Sequence, residues 1–267
     1  MRNMTKLRID FFVVGVQKGG TTALDRMLRD HPGIQMARRK EVHFFDDEDI
    51  DWMSPDFTGL HQEFDWSKSG AIRGEVTPIY IYWRSALARI RNYNPDARII
   101  VALRHPSFRA YSHWRMEFGR NAETLPFIDA VSSGRARVSD APGGQHRVHS
   151  YVERGFYEHQ IVELKRHFPA HQIHFFRTDS LWTDPRRVLQ RIEVFLGVEP
   201  YLAPHPAYIV PMPSAQTPPM SNFDRSYLDK LFEPTIAALS DLTGLQLDDW
   251  RRPDYSEPMD QAIGIRR

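Results

Sequence analysis

The stretch Asp10-Phe11-Phe12-Val13-Val14-Gly15-Val16-Gln17-Lys18-Gly19-Gly20-Thr21-Thr22 decides the fold. Phe11 to Val14 is an unbroken apolar, β-favouring run closed by Gly15, which predicts a strand of a parallel sheet buried on both faces. A glycine turn follows, and Thr21 or Thr22 is placed to cap a helix with Leu24, Met27 and Leu28 on its apolar face, ending before Pro32-Gly33. Strand, glycine loop and helix in that order bring backbone N–H groups to a helix N-terminus, where a phosphate can be received.

Working outward, Ala71 to Val76 and Arg98 to Arg104 read as further strands. Helices are predicted over Ser85 to Asn92 and from Pro106 through Phe118. The aromatic and acidic stretch from Arg38 to Gly70 lacks periodicity and reads as irregular structure packed over the sheet edge. A helix from Tyr151 to Phe168, a strand Gln172 to Arg177, a helix Pro185 to Leu196 and a last helix from Asp224 to Thr243 complete the pattern. The fold expected is α/β, a P-loop-like parallel β-sheet flanked by helices on both faces. No repeat or composition break divides the chain, so a single domain over 1-267 is expected. Within it, 119-150 reads as a mobile loop or lid, and about 200-222 as a proline-rich crossing segment.

Composition bounds the function. The 267 residues hold no cysteine, which excludes a disulfide scaffold, a zinc-thiolate site and a cysteine nucleophile. A net charge of +1 gives no case for a nucleic-acid partner. No window approaches the ~18 apolar residues of a membrane span, and the expectation is a cytoplasmic enzyme.

The loop has the glycine spacing of a nucleoside-triphosphate site, but its lysine, Lys18, lies inside the loop and a threonine stands at the Walker lysine position. The strand at Ile99 ends in Leu103-Arg104-His105 rather than a magnesium-holding aspartate. An arginine there neutralises a phosphate directly, without a metal. Ser112, eight positions after Arg104, lies two turns into the next helix and can add a hydroxyl.

Three segments then carry a resemblance. Phe12 to Thr22, Lys40-Glu41-Val42-His43-Phe44-Phe45-Asp46, and Leu103-Arg104-His105-Pro106-Ser107-Phe108-Arg109-Ala110-Tyr111-Ser112 look like the phosphosulfate-binding, acceptor-site and 3′-phosphate-binding motifs of sulfotransferases. The pattern is nearest to heparan-sulfate 3-O- and N-sulfotransferase domains and their bacterial homologues. Further similarity at Gly74-Glu75-Val76-Thr77-Pro78 and Arg154-Gly155-Phe156-Tyr157 extends it over Phe11 to Trp250.

The resemblance implies a donor, 3′-phosphoadenosine 5′-phosphosulfate (PAPS), with the bisphosphate PAP as product and no metal. Gly19, Gly20, Thr21 and Thr22 would cradle its phosphosulfate, with Lys18 on the bridging oxygen. Arg104 and Ser112 would hold the 3′-phosphate, and Tyr157 would lie near the nucleotide. Glu41 matches the catalytic base, and His43 and Asp46 match residues lining the same site. Arg109 is left as an exposed helix residue. Two departures stand out: Val76 replaces a lysine common in relatives, and Pro213 to Pro218 lacks the cations that relatives place over the nucleotide. Both make a polyanionic acceptor less suitable than a small molecule, natural product or other carbohydrate. The alternatives are a P-loop small-molecule kinase, which the missing Walker residues disfavour, and a non-catalytic nucleotide-binding module.

Overall fold

The computed structural model describes residues 7–201 and 219–258. Five strands form one parallel sheet: β1 (Phe11–Gly15), β2 (Ile34–Met36), β3 (Ile72–Val76), β4 (Arg98–Leu103) and β5 (Ile173–Arg177), in the order β2-β3-β1-β4-β5. Ten helices accompany them among the described residues. These are α1 (Thr21–Arg29), α2 (Thr58–His61), α3 (Ala86–Tyr93), α4 (Pro106–Gly119), α5 (Phe127–Val131), α6 (Ala136–Ser139), α7 (Tyr157–His167), α8 (Thr178–Thr183), α9 (Pro185–Leu196) and α10 (Asn222–Thr243).

The apolar run of β1 is explained by its two buried faces. Phe11 and Val13 pack with Leu24, Leu28, Leu181 and Ile192 from α1, α8 and α9. Phe12 and Val14 pack on the opposite face with Leu87, Ile161 and Phe232 from α3, α7 and α10. Because successive strand side chains alternate faces, a strand covered on both sides has no polar position to spare. The sheet is therefore flanked by helices on both faces, as the α/β reading expects.

Several boundaries differ from the sequence reading. Gly20, with φ of 80°, is the N-cap of α1, and neither Thr21 nor Thr22 makes a side-chain cap. Strand β2 was not anticipated, because three residues are too few to show a period. The α7 helix begins at Tyr157 rather than Tyr151, after a 3₁₀ turn at Glu153–Gly155. The 119-150 segment, expected to be a loop or lid, instead contains α5, α6 and two 3₁₀ turns, and it buries Phe127, Ala130, Val131 and Val138. The Arg38 to Gly70 stretch has little regular structure, but Phe45, Leu60 and Phe64 join the main core. Pro213 to Pro218 and most of the proline-rich crossing segment lie outside the described residues. No described helix is long and apolar enough to cross a membrane.

Candidate active site

A parallel sheet offers its ligand crevice beyond the carboxyl ends of its strands, where the strand order reverses. Here that point is β1, with β3 on one side and β4 on the other. The loop after β1, Thr77 after β3, Arg104 after β4 and Thr178 after β5 all meet there.

The loop is held at both ends. Val16 N–H donates to the Ala102 carbonyl at 2.9 Å and Gly19 N–H to the Val16 carbonyl at 2.8 Å. Thr178 Oγ1 donates to the Gly19 carbonyl at 2.9 Å. A Cβ on Gly19 would lie 2.8 Å from the Val16 carbonyl oxygen and 2.9 Å from that of Ala102, so only glycine fits between two fixed backbone segments. Lys18 adopts φ of 71°, a left-handed conformation uncommon for a residue with a side chain and found where the surroundings dictate it. The loop runs directly into α1, whose first-turn amides have no intrahelical acceptors.

Cations gather around this loop. Arg104 donates Nη1 to the Lys18 carbonyl at 2.9 Å, while its Nε and Nη2 form a bidentate pair with Glu257 at 2.8 and 2.6 Å. Arg109 and Arg154 are buried, with 0% and 3% of their surfaces exposed. Arg109 Nη2 donates to the Tyr151 carbonyl, and Arg154 donates to the Gln17 side chain of the loop and, at 2.8 Å, to the Arg147 carbonyl. The Nε groups of both have no partner, and no carboxylate pairs with either among the described residues. Arg109 is therefore not the exposed helix residue the sequence suggested.

The electrostatics carry the mark of surplus positive charge. Burial, and then the charges of Arg104 and Arg120, lower the Lys18 ammonium to about 8, with Glu117 offsetting only part. Burial lowers Arg109 and Arg154 to about 10, and each feels another arginine. Burial first, and then Arg154, Arg109 and Lys18, hold the buried His113 well below its ordinary range. Buried cations without matching carboxylates are costly unless an anion completes the site.

Next to these cations, reached through the Arg154 to Arg147 hydrogen bond, lies a chain of ionisable side chains. Glu41 Oε2 is 3.2 Å from His43 Nε2, and His43 Nδ1 is 2.9 Å from Asp46 Oδ2. Asp46 is fully buried and accepts from Arg147, which stacks 4.5 Å over the Trp83 ring. Lys40 Nζ sits 3.3 Å from Glu41 Oε1. Hydrogen bonds to Asp46 and Glu41 raise His43 to about 9, so its ring is doubly protonated at neutral pH. Burial alone would raise Glu41, but the His43 bond and the Lys40 charge outweigh it and hold it below the usual carboxylate range. Glu41 is thus an ionised, partly exposed carboxylate oriented by an imidazolium. Among the described residues no cluster of three or more His, Asp or Glu side chains is placed to hold a metal ion.

Lys18, Gly19, Gly20, Thr21 and Arg104 therefore converge on one loop, and Glu41, His43 and Asp46 form one contact chain. Ser112 is buried two turns along α4. Tyr157 plays a supporting part: its hydroxyl donates to the Arg104 carbonyl at 2.8 Å and its ring is buried, so it braces the strand end rather than offering its hydroxyl to a ligand. Sequence reasoning missed Glu257 and Arg147, and Thr77, which accepts from the Val42 and His43 amides at 3.2 and 3.4 Å. Thr77 lies within the Gly74 to Pro78 similarity, which was its available signal.

Comparisons with known proteins agree with this arrangement. A family model described as a sulfotransferase domain matches residues 8–203. Human heparan sulfate glucosamine 3-O-sulfotransferase 3B1 is 32% identical over 191 residues, covering 70% of this chain and 45% of that protein. Mouse heparan sulfate glucosamine 3-O-sulfotransferase 6 is 33% identical over 191 residues, covering 70% and 52%. The chain thus spans about half the length of these relatives. A crystal structure of a sulfotransferase from Alicyclobacillus acidocaldarius matches with a TM-score of 0.76 and 27% identity, over 92% of this chain and 100% of that one.

Proposed function

Because the chain belongs to the sulfotransferase family, we propose that it moves a sulfuryl group from PAPS to an acceptor hydroxyl or amine. The observation that carries this reading is the pairing of a cation-rich loop at the sheet's carboxyl edge with an ionised carboxylate held by an imidazolium. PAPS carries several negative charges, and the buried Arg109 and Arg154, without carboxylate partners, fit a ligand of that charge. When bound, the donor supplies a sulfuryl group on a phosphate that departs as an anion. The amides from Gly19 to Thr22, the Lys18 ammonium and the Arg104 and Ser112 side chains would hold it. Lys18 neutralises charge developing at the loop, where a partly buried cation acts more strongly than in water.

Glu41 takes the acceptor proton as general base. His43 already carries both ring protons at neutral pH and so cannot serve as the base; it orients Glu41 and stabilises its charge. The reaction needs positioning and charge stabilisation, with no covalent intermediate.

For the acceptor, we propose a carbohydrate or small molecule of low charge. The relatives' names specify a glucosamine acceptor. On this chain four cations of the segments flanking Glu41 are already paired: Arg39 with Glu63, Lys40 with Glu41, Arg89 with Glu48 and Arg147 with Asp46. That leaves little unspent positive charge for a sulfated polymer.

Incubation with sulfur-labelled PAPS and a panel of neutral sugars, amino sugars, phenols and heparan fragments is expected to label a neutral acceptor and release PAP. Tight PAP binding without label on any acceptor would instead indicate a non-catalytic nucleotide-binding module. Magnesium-dependent ATP binding would indicate a kinase. Gly19→Ala, whose Cβ meets two backbone oxygens, is expected to weaken PAP binding at least tenfold by calorimetry, since the loop must open to admit the methyl group. Unchanged affinity would remove the loop from the donor site.

A further inference from the structure

The turn that carries Glu41 and His43 is fastened from beneath by two fully buried side chains, Thr77 and Glu75. The Thr77 hydroxyl accepts from the Val42 amide at 3.2 Å and the His43 amide at 3.4 Å, and it donates to Glu75 Oε1. A hydroxyl has one proton and two lone pairs, so this arrangement uses all three. The Thr77 amide in turn donates to the Val13 carbonyl of β1 at 3.2 Å, which anchors the fastening to the centre of the sheet. His43 needs such a hold, because its φ of 58° is a conformation that a residue with a side chain keeps only when its surroundings impose it.

Glu75 is unusual in this setting. It sits on β3 opposite Phe12 of β1, and no cation pairs with it among the described residues. Its Oε2 has no hydrogen-bond partner. The ionisable groups facing it are Glu41 and Asp46 from the turn above and Tyr80 from the segment after β3. A buried carboxylate with no cation of its own, facing two carboxylates whose cations His43, Lys40 and Arg147 are already engaged, is disfavoured in its charged form. A proton on Oε2 removes that penalty and leaves Oε1 as a carbonyl oxygen able to accept from Thr77.

We propose that Glu75, in its protonated form, and Thr77 are positioning residues that set the Glu41–His43 turn for proton removal from the acceptor. The inference rests on the reading of Glu41 as the base. Burial pushes Glu75 up to about 8, with the Thr77 and Val42 hydrogen bonds only partly opposing it. Above that pH a third anion would join Glu41 and Asp46 under the acceptor site.

Two measurements on the full chain test this without an acceptor. Urea unfolding of the wild type and Glu75→Gln is compared at pH 5, 6 and 7. The unfolded glutamate gives up its proton near 4.5, whereas the folded one keeps it to about 8. The stabilisation from the native proton is therefore complete below about 4.5 and is lost as pH rises toward 8. The wild-type unfolding constant is expected to grow about tenfold per pH unit relative to Glu75→Gln. A ratio that stays constant with pH means native Glu75 is ionised and overturns the protonated state.

The second measurement follows the His43 ring by NMR, with its resonance identified by loss in His43→Gln. Its midpoint is expected near 9 in the wild type and in Thr77→Ser, and is expected to fall toward 6.5 in Thr77→Val, as the ring leaves Glu41 and Asp46. Should Thr77→Val not fold, Thr77→Ala is read in the same way. An unmoved midpoint in a folded variant lacking the hydroxyl overturns the positioning role, since loss of fold stability alone would not shift it. In the transfer assay the same variant is expected to lose kcat while PAP affinity stays within twofold. If the wild type transfers no sulfur, the reading of the reaction fails, while the unfolding measurement still decides the protonation of Glu75, and the His43 midpoint, followed in Thr77→Val and in Glu75→Gln, still decides whether each residue positions the turn.

Discussion

Glu41→Gln is expected to slow sulfuryl transfer by roughly 10²–10⁴-fold, the range associated with losing a general base, and to leave PAP affinity within about twofold. The split follows from the geometry. Glu41 contacts Lys40 and His43, whereas the loop cations Arg104, Arg109 and Arg154 make their hydrogen bonds elsewhere. Glutamine keeps the side chain's shape and one oxygen able to accept from His43, but it cannot accept a proton at neutral pH. Stopped transfer assays and calorimetry on the same preparation measure both halves. If PAP affinity falls with turnover, Glu41 belongs to the architecture of the donor pocket and the proton must leave by another route. If neither changes, the base is elsewhere. His43→Gln is the companion variant: it removes the imidazolium that holds Glu41 ionised, so a smaller loss of kcat is expected together with a rise in the pH at which Glu41 becomes active.

The parts of this molecule that could be read from sequence are those whose signal is local. The β1 run, Gly15 to Gly20 and the α9 helix from Pro185 to Leu196 each announce themselves within a dozen residues, through unbroken apolarity, glycine placement or a 3.6-residue period. Glu41, His43 and Asp46 fall within six consecutive residues, so one turn brings them together. What stayed hidden depends on distant partners. Arg109 looks like any helix arginine until α4 packs its face toward Tyr151 and the loop, where burial is set by tertiary contacts rather than by its neighbours in sequence. Arg147 meets Asp46 across 101 positions, and its segment is polar and glycine-rich enough to pass for a loop. The short α5 helix in that segment forms because Phe127 and Val131 join the core, Phe127 against Trp114, not because of its own propensity. Val76 could be seen to lack the lysine of relatives, but not where it lies: it packs with Phe11, Val13 and the α1, α8 and α9 side chains, on the face of β3 opposite to Glu75.

Arg104→Ala is expected to weaken PAP binding by roughly tenfold to a hundredfold, on the order of one charge-assisted hydrogen bond of 1.5–3 kcal/mol. It is expected to affect the 3′-hydroxyl analogue, adenosine 5′-phosphosulfate, much less. Equal weakening of the two would place Arg104 away from the 3′-phosphate. The structure adds a condition to this experiment. The Arg104 fork is taken by Glu257, whose carboxylate is 3% exposed and accepts from both Nε and Nη2. Removing the arginine takes two charge-assisted hydrogen bonds from a buried carboxylate and so also weakens the fold; Arg104→Lys is the safer variant, because it keeps the charge and loses only the bidentate geometry. The same contact predicts an opposite effect from the other partner. A 3′-phosphate approaching Arg104 meets a carboxylate already in the fork, and two anions cannot share it without repulsion. Glu257→Gln removes that competition and is expected to tighten PAP binding about tenfold, with little change for the analogue that lacks the 3′-phosphate. Calorimetric titration of both ligands into both variants decides the matter. Tighter PAP binding by Glu257→Gln with weaker binding by Arg104→Lys fits a shared subsite. Weaker binding by both variants would mean that Glu257 orients the guanidinium for the phosphate, so that the carboxylate and the phosphate bind opposite edges of one arginine.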